Sequence, residues 1–477
     1  MTSAERLSLA ADFPAATREQ WRELVGNVLR RSGAEFDDPE AALAIRTFDG
    51  FDLRPLYTAD DTAPDAGFPG LPPHVRGGRA DGHVRTGWDV RQRHADPDPA
   101  FTGRAILADL ENGGTSLWLV AGVAGLPAGA LADVLDDVYL DLAPVTLEAG
   151  ADALAAADAL LAVYRDKGVA ASDVRGNLGA DPLGLRARTG EPADLGVAVE
   201  LARRAREFPA LRSVVVDGLP YHEAGASDGQ ELGCAVATGV AYLRALTDAG
   251  LDVDRAAGQL ELRLAATADQ FATIAKLRAA RRLWARVTEV SGATVRTAPL
   301  HAVTSSTMTT RRDPWVNMLR TTLACFAAGV GGADAVTVLP FDAALGLPDA
   351  FARRIARNTQ SILLEESKVA GVIDPAGGSW YVERHTDELA RAAWAVFTEI
   401  ERAGGLAAAL DAGLVDEHIA ATRTARTARF AAGEEAITGV TVFPDENEKP
   451  LSRKPAPPAP GGGLPKVRYA EPFEEDA

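Results

Sequence analysis

From about residue 100 the sequence settles into a rhythm, and that rhythm limits the fold more than any other feature. Short apolar or β-branched runs alternate with Ala- and Leu-rich runs of helical spacing. The strand candidates are Ser116–Ala121, Val145–Glu148, Ser172–Leu178, Ser213–Asp217, Leu260–Ala265, Thr294–Val303, Ala335–Leu339 and Gly371–Ile373. A helix after each strand builds a parallel sheet, because parallel neighbours need a crossover. Eight such units over roughly 260 residues predict an α/β fold, a (β/α)8 TIM-type barrel, with a doubly wound open sheet as the alternative.

Ahead of the rhythm the chain behaves differently. Phe13-Pro14 precede Thr17-Arg18-Glu19-Gln20, which reads as a helix start capped by Thr17, and Trp21, Leu24, Val25 and Leu29 then share one face. Asp49 to Pro99 is rich in Gly, Pro, Asp and Arg and reads as a long irregular segment laid over the rest. Inside the barrel region Phe271, Ile274, Leu277, Ala280 and Trp284 mark a helix, with Lys276, Arg278, Arg281 and Arg282 on its other face. A second clear helix runs from about Thr386 to Arg402. After Phe443 the chain turns Pro-, Gly- and charge-rich, with APPAPGGG at Ala456 to Gly463. The expected organisation is an N-terminal helical arm and wrapping segment (1–100), the barrel (101–440) and a linker or tail (441–477).

Charge narrows the choice of partners. The 67 acidic and 49 basic side chains give −18 over 477 residues, which argues against nucleic acid and anionic membrane surfaces. Cys234 and Cys325 cannot build a disulfide framework and read as two reduced, buried thiols. The opening MTSAERLSLAADF lacks a basic stretch followed by an apolar one. The longest uncharged stretch, Asn112 to Ala132, is broken by glycines and Pro127, so it reads as a buried strand entering a loop rather than a membrane span. A cytoplasmic protein is expected.

Standard chemical motifs are missing. There is no G-x-x-x-x-G-K-[ST], and neither Gly218 to Gly225 nor Gly329, Gly331 and Gly332 make a G-x-G-x-x-G. The seven histidines are dispersed without H-E-x-x-H, so no metal site is expected, and no G-x-S-x-G occurs.

Several long strings do stand out. Arg354-Ile-Ala-Arg-Asn-Thr-Gln360 is followed by Glu365-Glu366-Ser367 and by Val372-Ile-Asp-Pro-Ala-Gly-Gly-Ser-Trp-Tyr-Val-Glu383. Upstream lie Ala275-Lys-Leu-Arg-Ala-Ala-Arg-Arg-Leu-Trp-Ala285 and Glu223-Ala-Gly-Ala226. Read locally, Asp374-Pro375 and Gly377-Gly378 are turn formers, and the Lys276 run is a core-packing helix. Taken together, the strings resemble the substrate-binding barrel of methylmalonyl-CoA mutase and its adenosylcobalamin-dependent acyl-CoA mutase relatives, over roughly residues 13 to 440. That resemblance implies a barrel whose axis takes the CoA arm. It also implies a separate flavodoxin-like domain that brings cobalamin to the barrel mouth, and measured against it this sequence is expected to have no C-terminal flavodoxin-like cobalamin domain.

The positions at which such a barrel grips its substrate are altered. In Thr86-Gly-Trp-Asp-Val-Arg-Gln-Arg93 the family's Trp, Arg and Gln recur as Trp88, Arg91 and Gln92, but its tyrosine falls on Arg93. In Asp217-Gly-Leu-Pro-Tyr-His222 the family's catalytic histidine falls on Pro220, which carries no side-chain donor. His222 lies two residues on and would face the same way if this were a strand. Gly176-Asn-Leu-Gly179 keeps only Asn177 as a polar group, and counting on from there puts the carboxylate-binding arginine at Thr189, beside Arg186 and Arg188. In Arg296-Thr-Ala-Pro-Leu300 a histidine and a glutamine fall on Ala298 and Leu300. No catalytic residue is therefore expected, and Arg91, Gln92, Asn177 and His222 remain as vestigial substrate-binding candidates.

The family's cobalt-binding D-x-H-x-x-G is approached only by Asp81-Gly82-His83-Val84-Arg85-Thr86, which fails at its last place, so the chain alone is expected to bind no cofactor. The resemblance then implies a small, non-catalytic subunit. Its heterodimer partner would be a catalytic large subunit that carries adenosylcobalamin, and the complex would be an isomerase that interconverts methylmalonyl-CoA and succinyl-CoA. Arg468-Tyr-Ala-Glu-Pro-Phe473 resembles the linker of that subunit type. Two alternatives stay open: an active, isobutyryl-CoA mutase-like barrel served by a separate cobalamin subunit, and a stand-alone acyl-CoA-binding module.

Overall fold

The computed structural model describes residues 14–458 and 460–474; the opening stretch read for a leader lies outside the described residues. Two short strands, β1 (Ile45–Arg46) and β2 (Asp52–Leu53), pair antiparallel in the arm. Eight more form the barrel: β3 (Asp89–His94), β4 (Ser116–Val120), β5 (Val145–Glu148), β6 (Arg175–Ala180), β7 (Ala210–Asp217), β8 (Leu260–Ala266), β9 (Leu300–Thr304) and β10 (Ala335–Thr337). They close in the order β10-β3-β4-β5-β6-β7-β8-β9, with all neighbours parallel. The TIM-type barrel expected from the alternation is the fold.

One strand assignment needs correcting. Gly371–Ile373 is not a strand, because it belongs to a 3-10 turn, Val369–Gly371, that runs into Asp374 with φ at 47°. The missing barrel strand is β3, which lies inside the segment read as irregular and ahead of the boundary drawn at residue 100. Its sequence, Asp-Val-Arg-Gln-Arg-His, has no apolar run, because the barrel interior it faces is charged.

The faces of helix Gln270–Val290 also differ from the amphipathic reading. Lys276, Arg278 and Arg281 are buried, whereas Phe271 is exposed. The helix lies between the barrel and helix Trp380–Arg402, and its cations are paired inside. Lys276 Nζ lies 2.7 Å from both Asp228 Oδ1 and Glu231 Oε2. Arg278 holds Asp374 through two contacts of 3.0 and 3.2 Å, and reaches Glu383 at 2.7 Å and Thr386 at 3.0 Å. Arg76 of the arm donates to the same Asp374 at 3.0 Å. The sequence strings around Lys276 and Asp374 thus form a clamp that ties arm, barrel helix and terminal helix together.

Helix Arg18–Arg31 starts at the expected capping box, with Thr17 and Gln20 satisfying each other's backbone amides. Farther along the arm, Asp49 sits at the N-terminus of helix Asp228–Asp248, accepting from Ser227 Oγ at 2.5 Å and from the Gly229 amide at 3.0 Å. At the other end of the chain the tail straps the C-terminal rim of the barrel. Lys454 pairs with Asp96 after β3 at 3.0 Å, and the amides of Gly463, Leu464, Val467 and Tyr469 donate to the carbonyls of Arg188, Ala187, Glu223 and Thr307. The tail therefore passes from the loop after β3 to the far side, after β6, and then along to β9.

Candidate functional site

In a TIM barrel, ligands enter at the C-terminal ends of the strands, and layers of side chains fill the interior below. Here those layers are built largely from charges. Low in the barrel, Arg91 on β3 reaches across to Glu261 on β8, with Nη1 to Oε1 at 2.6 Å, and also contacts Asp89 and Ser116 at 3.3 Å. In the middle, Arg263 on β8 lies 4.1 Å from the ring centroid of Trp118 on β4, a cation–π contact across the axis. Arg263 also approaches Asp217 at 3.4 Å and Glu148 at 3.5 Å. Its Nε donates to His301 Nδ1 at 3.3 Å, so the ring proton sits on Nε2, 2.8 Å from Thr337 Oγ1. At the top, Arg93 covers the other part of Trp118 at 5.0 Å, and Arg188 reaches Asp217 at 3.0 Å.

Four arginines thus face four carboxylates, Asp89, Glu148, Asp217 and Glu261, and the interior is close to neutral. Burial pushes the Glu148 carboxyl up, but Arg93, Arg263 and Arg188 outweigh it and hold it below its usual value. Burial, together with Arg91 and Arg263, drives the His301 pKa well below the normal imidazole range, which keeps the ring neutral.

The vestigial candidates do not assemble into a pocket. Arg91 is fully engaged within the charged layers. Gln92 points the opposite way from Arg91 and Arg93, as alternation requires, and is buried against the outer helices. Asn177 spends its amide on the backbone: Nδ2 donates to Val214 O at 3.0 Å, and Oδ1 accepts from the Gly179 amide at 2.9 Å, pinning the irregular register of β6.

Pro220 and His222 lie on a short helix, Leu219–Glu223, rather than on a strand. Two residues apart on a helix means roughly 200° of rotation, so the strand argument that would let His222 replace the lost donor fails. His222 Nε2 instead lies 2.6 Å from Ser305 Oγ and 3.2 Å from Thr307 Oγ1, with Glu231 at 3.5 Å behind it, in a buried network beneath the tail. Ala298 precedes β9 and Leu300 is its first residue, so both lie at the end of the barrel away from the mouth.

The residues that fill the axis, Trp118, Glu148, Asp217, Glu261, Arg263 and His301, were not among the sequence candidates. Their signal is nonetheless present: Glu261 and Arg263 alternate within an otherwise apolar strand, and such a strand can direct charge only into the barrel.

The near match to the family's cobalt-binding motif lies in the arm rather than in a domain of its own. His83 is held there with Nε2 3.4 Å from Asp334 Oδ1, and the neighbouring Gly82 packs against Ile373. Among the described residues no group of three metal-ligating side chains occurs, and no helix is long and apolar enough to cross a membrane. Two cavities lie outside the barrel axis: about 520 Å3 between the tail and Arg311 and Arg312, and about 350 Å3 between the arm and helix Trp380–Arg402.

The comparisons with known proteins agree with this barrel. The family model described as methylmalonyl-CoA mutase matches residues 120–459. A methylmalonyl-CoA mutase small subunit from Streptomyces virginiae is 64% identical over 98% of this chain and 77% of its own length. One from Propionibacterium freudenreichii subsp. shermanii is 43% identical over 98% of this chain and 75% of its own. A Rhizobium meliloti protein named methylmalonyl-CoA mutase is 33% identical over 91% of this chain and 65% of its own. With its fold, its strings and its relatives in accord, the chain belongs to the methylmalonyl-CoA mutase family.

Proposed function

We propose that the chain is the small, non-catalytic subunit of an adenosylcobalamin-dependent methylmalonyl-CoA mutase. It acts in the cytoplasm, with an arm ahead of the barrel and a tail behind it. It pairs as a heterodimer with a large catalytic subunit that holds the cobalamin, and it binds no cofactor itself. The relatives named small subunit support this reading. The observation that carries it is the crossed barrel axis: Arg91–Glu261 and Arg263 over Trp118 occupy the line along which a CoA arm would have to run.

Calorimetric titration of the isolated chain with methylmalonyl-CoA tests the proposal. No saturable binding is expected. Adding the large subunit and adenosylcobalamin should then give succinyl-CoA formation. Saturable, stoichiometric binding by the isolated chain would sink the non-catalytic assignment.

A further inference from the structure

The arm and the tail come from opposite ends of the sequence, yet both rest on one helix, Leu414–Ala431. The turn between β1 and β2 in the arm presents Phe48, and the tail presents Tyr469. Both rings meet Arg426, whose guanidinium carbon is 4.6 Å from the Phe48 ring centroid and 4.6 Å from that of Tyr469. Arg426 Nη1 donates to Gly225 O at 2.8 Å, which fixes the cation against the barrel loop ahead of helix Asp228–Asp248. Neighbours on the same helix serve each side separately. Arg429 lies 4.2 Å from the Phe48 ring and donates to Arg46 O at 2.8 Å, whereas Phe430 packs 6.1 Å from Tyr469 and 6.3 Å from Phe473. Arg426 is the member that touches arm, tail and barrel at once.

Each segment also has an anchor of its own. Beside Phe48, Asp49 accepts from Ser227 Oγ and the Gly229 amide. In the tail, the Val467 and Tyr469 amides donate to Glu223 O at 2.8 Å and Thr307 O at 2.9 Å, at the ends of the strands β7 and β9. Phe48, Arg426 and Tyr469 are all half-buried, so arm and tail are surface layers, each able to open without the barrel. The shared cation ties those openings together. A contact between a cation and a ring strengthens as the cation loses water, and a planar guanidinium can stack on more than one ring. Each ring that covers Arg426 excludes water from it, and so strengthens the contact made by the other.

We propose that Arg426 is a latch that couples docking of the arm to docking of the tail, so that whatever displaces the arm also loosens the strap along the barrel rim. Hydrogen–deuterium exchange on the full chain tests it. The Val467 and Tyr469 amides report the docked tail, the Gly229 amide reports the docked arm, and the Leu262 amide, bonded to Pro299 O inside the barrel sheet, reports the barrel. Phe48→Leu should speed exchange at Val467 and Tyr469 by about 5-fold, although it touches neither. Tyr469→Leu should speed exchange at Gly229 by the same factor, since coupling between two sites is reciprocal. Leu262 should be unchanged in both. Arg426→Gln keeps a planar donor for Gly225 O and removes the charge, and in that background Phe48→Leu should no longer affect the tail. Exchange that quickens only in the substituted segment overturns the latch. An effect of Phe48→Leu on the tail that persists in Arg426→Gln also overturns it, because the coupling would then run through other residues. Exchange at Leu262 that rises in step with the others assigns the change to the whole fold and overturns it too.

Discussion

Arg91 and Glu261 show what single side chains do inside this barrel. Both are buried, and each is neutralised chiefly by a residue on a strand across the axis. Such a pair adds little net stability over apolar residues, since desolvation of two ions offsets their attraction, but removal of one member strands the other. Glu261→Ala should therefore cost about 3–5 kcal/mol in urea unfolding. Replacing both, as Arg91→Met with Glu261→Met, should cost less than Glu261→Ala alone, and a loss at least as large would remove the argument. The same logic applies to Asp374, whose carboxylate faces Arg278 and Arg76. Asp374→Ala leaves Arg278 buried without its bidentate partner and should lower stability by a similar amount, about 3–5 kcal/mol.

At the scale of elements, the arm offers a dependence on pH. Burial, with Asp228 nearby, raises the Asp49 pKa to about 6, above the usual carboxylate value. The folded arm therefore holds this proton more tightly than the unfolded chain does. The resulting stabilisation is fully present below the unfolded pKa and is lost as pH rises through about 6. Limited proteolysis of the arm should be slower at pH 5 than at pH 7.5, and Asp49→Asn should remove that difference. Equal pH dependence in the variant would show that another group controls docking.

Elements also explain which parts of the fold were legible. Strands β4, β5, β7 and β8 announce themselves, because their outward faces pack apolar side chains against helices. Strand β3 does not, since Asp89, Arg91 and Arg93 occupy one face and Gln92 and His94 the other. Helix Gln270–Val290 carries the correct period, but charge is a poor guide to its exposed side, because Lys276 and Arg278 meet carboxylates brought from residues 228, 231 and 374. For the site the sequence offered only an expectation of loss, drawn from the resemblance at Arg93 and Pro220. What replaced it was not legible, because Arg263, Trp118 and Glu148 meet only once the barrel has closed.

For the whole molecule, the filled axis makes an experiment on restoration informative. Arg93→Tyr with Pro220→His would install near the mouth the two side chains that the resemblance implies for an active barrel. The Arg91–Glu261 and Arg263–Asp217 contacts would still cross the axis, so the double variant should show no saturable acyl-CoA binding by calorimetry. Clear binding would mean that two positions, rather than the full charge network, keep the barrel shut.

The mutual neutralisation within the barrel also bears on its history. Each arginine or carboxylate removed alone leaves its counterion stranded in a dry interior, so every first step toward a hollow tube is uphill. A lineage that acquires such an interlocked interior is held there by its own electrostatics. If the chain is the non-catalytic subunit proposed above, single substitutions would not reopen its axis, and selection on it would act through the company it keeps.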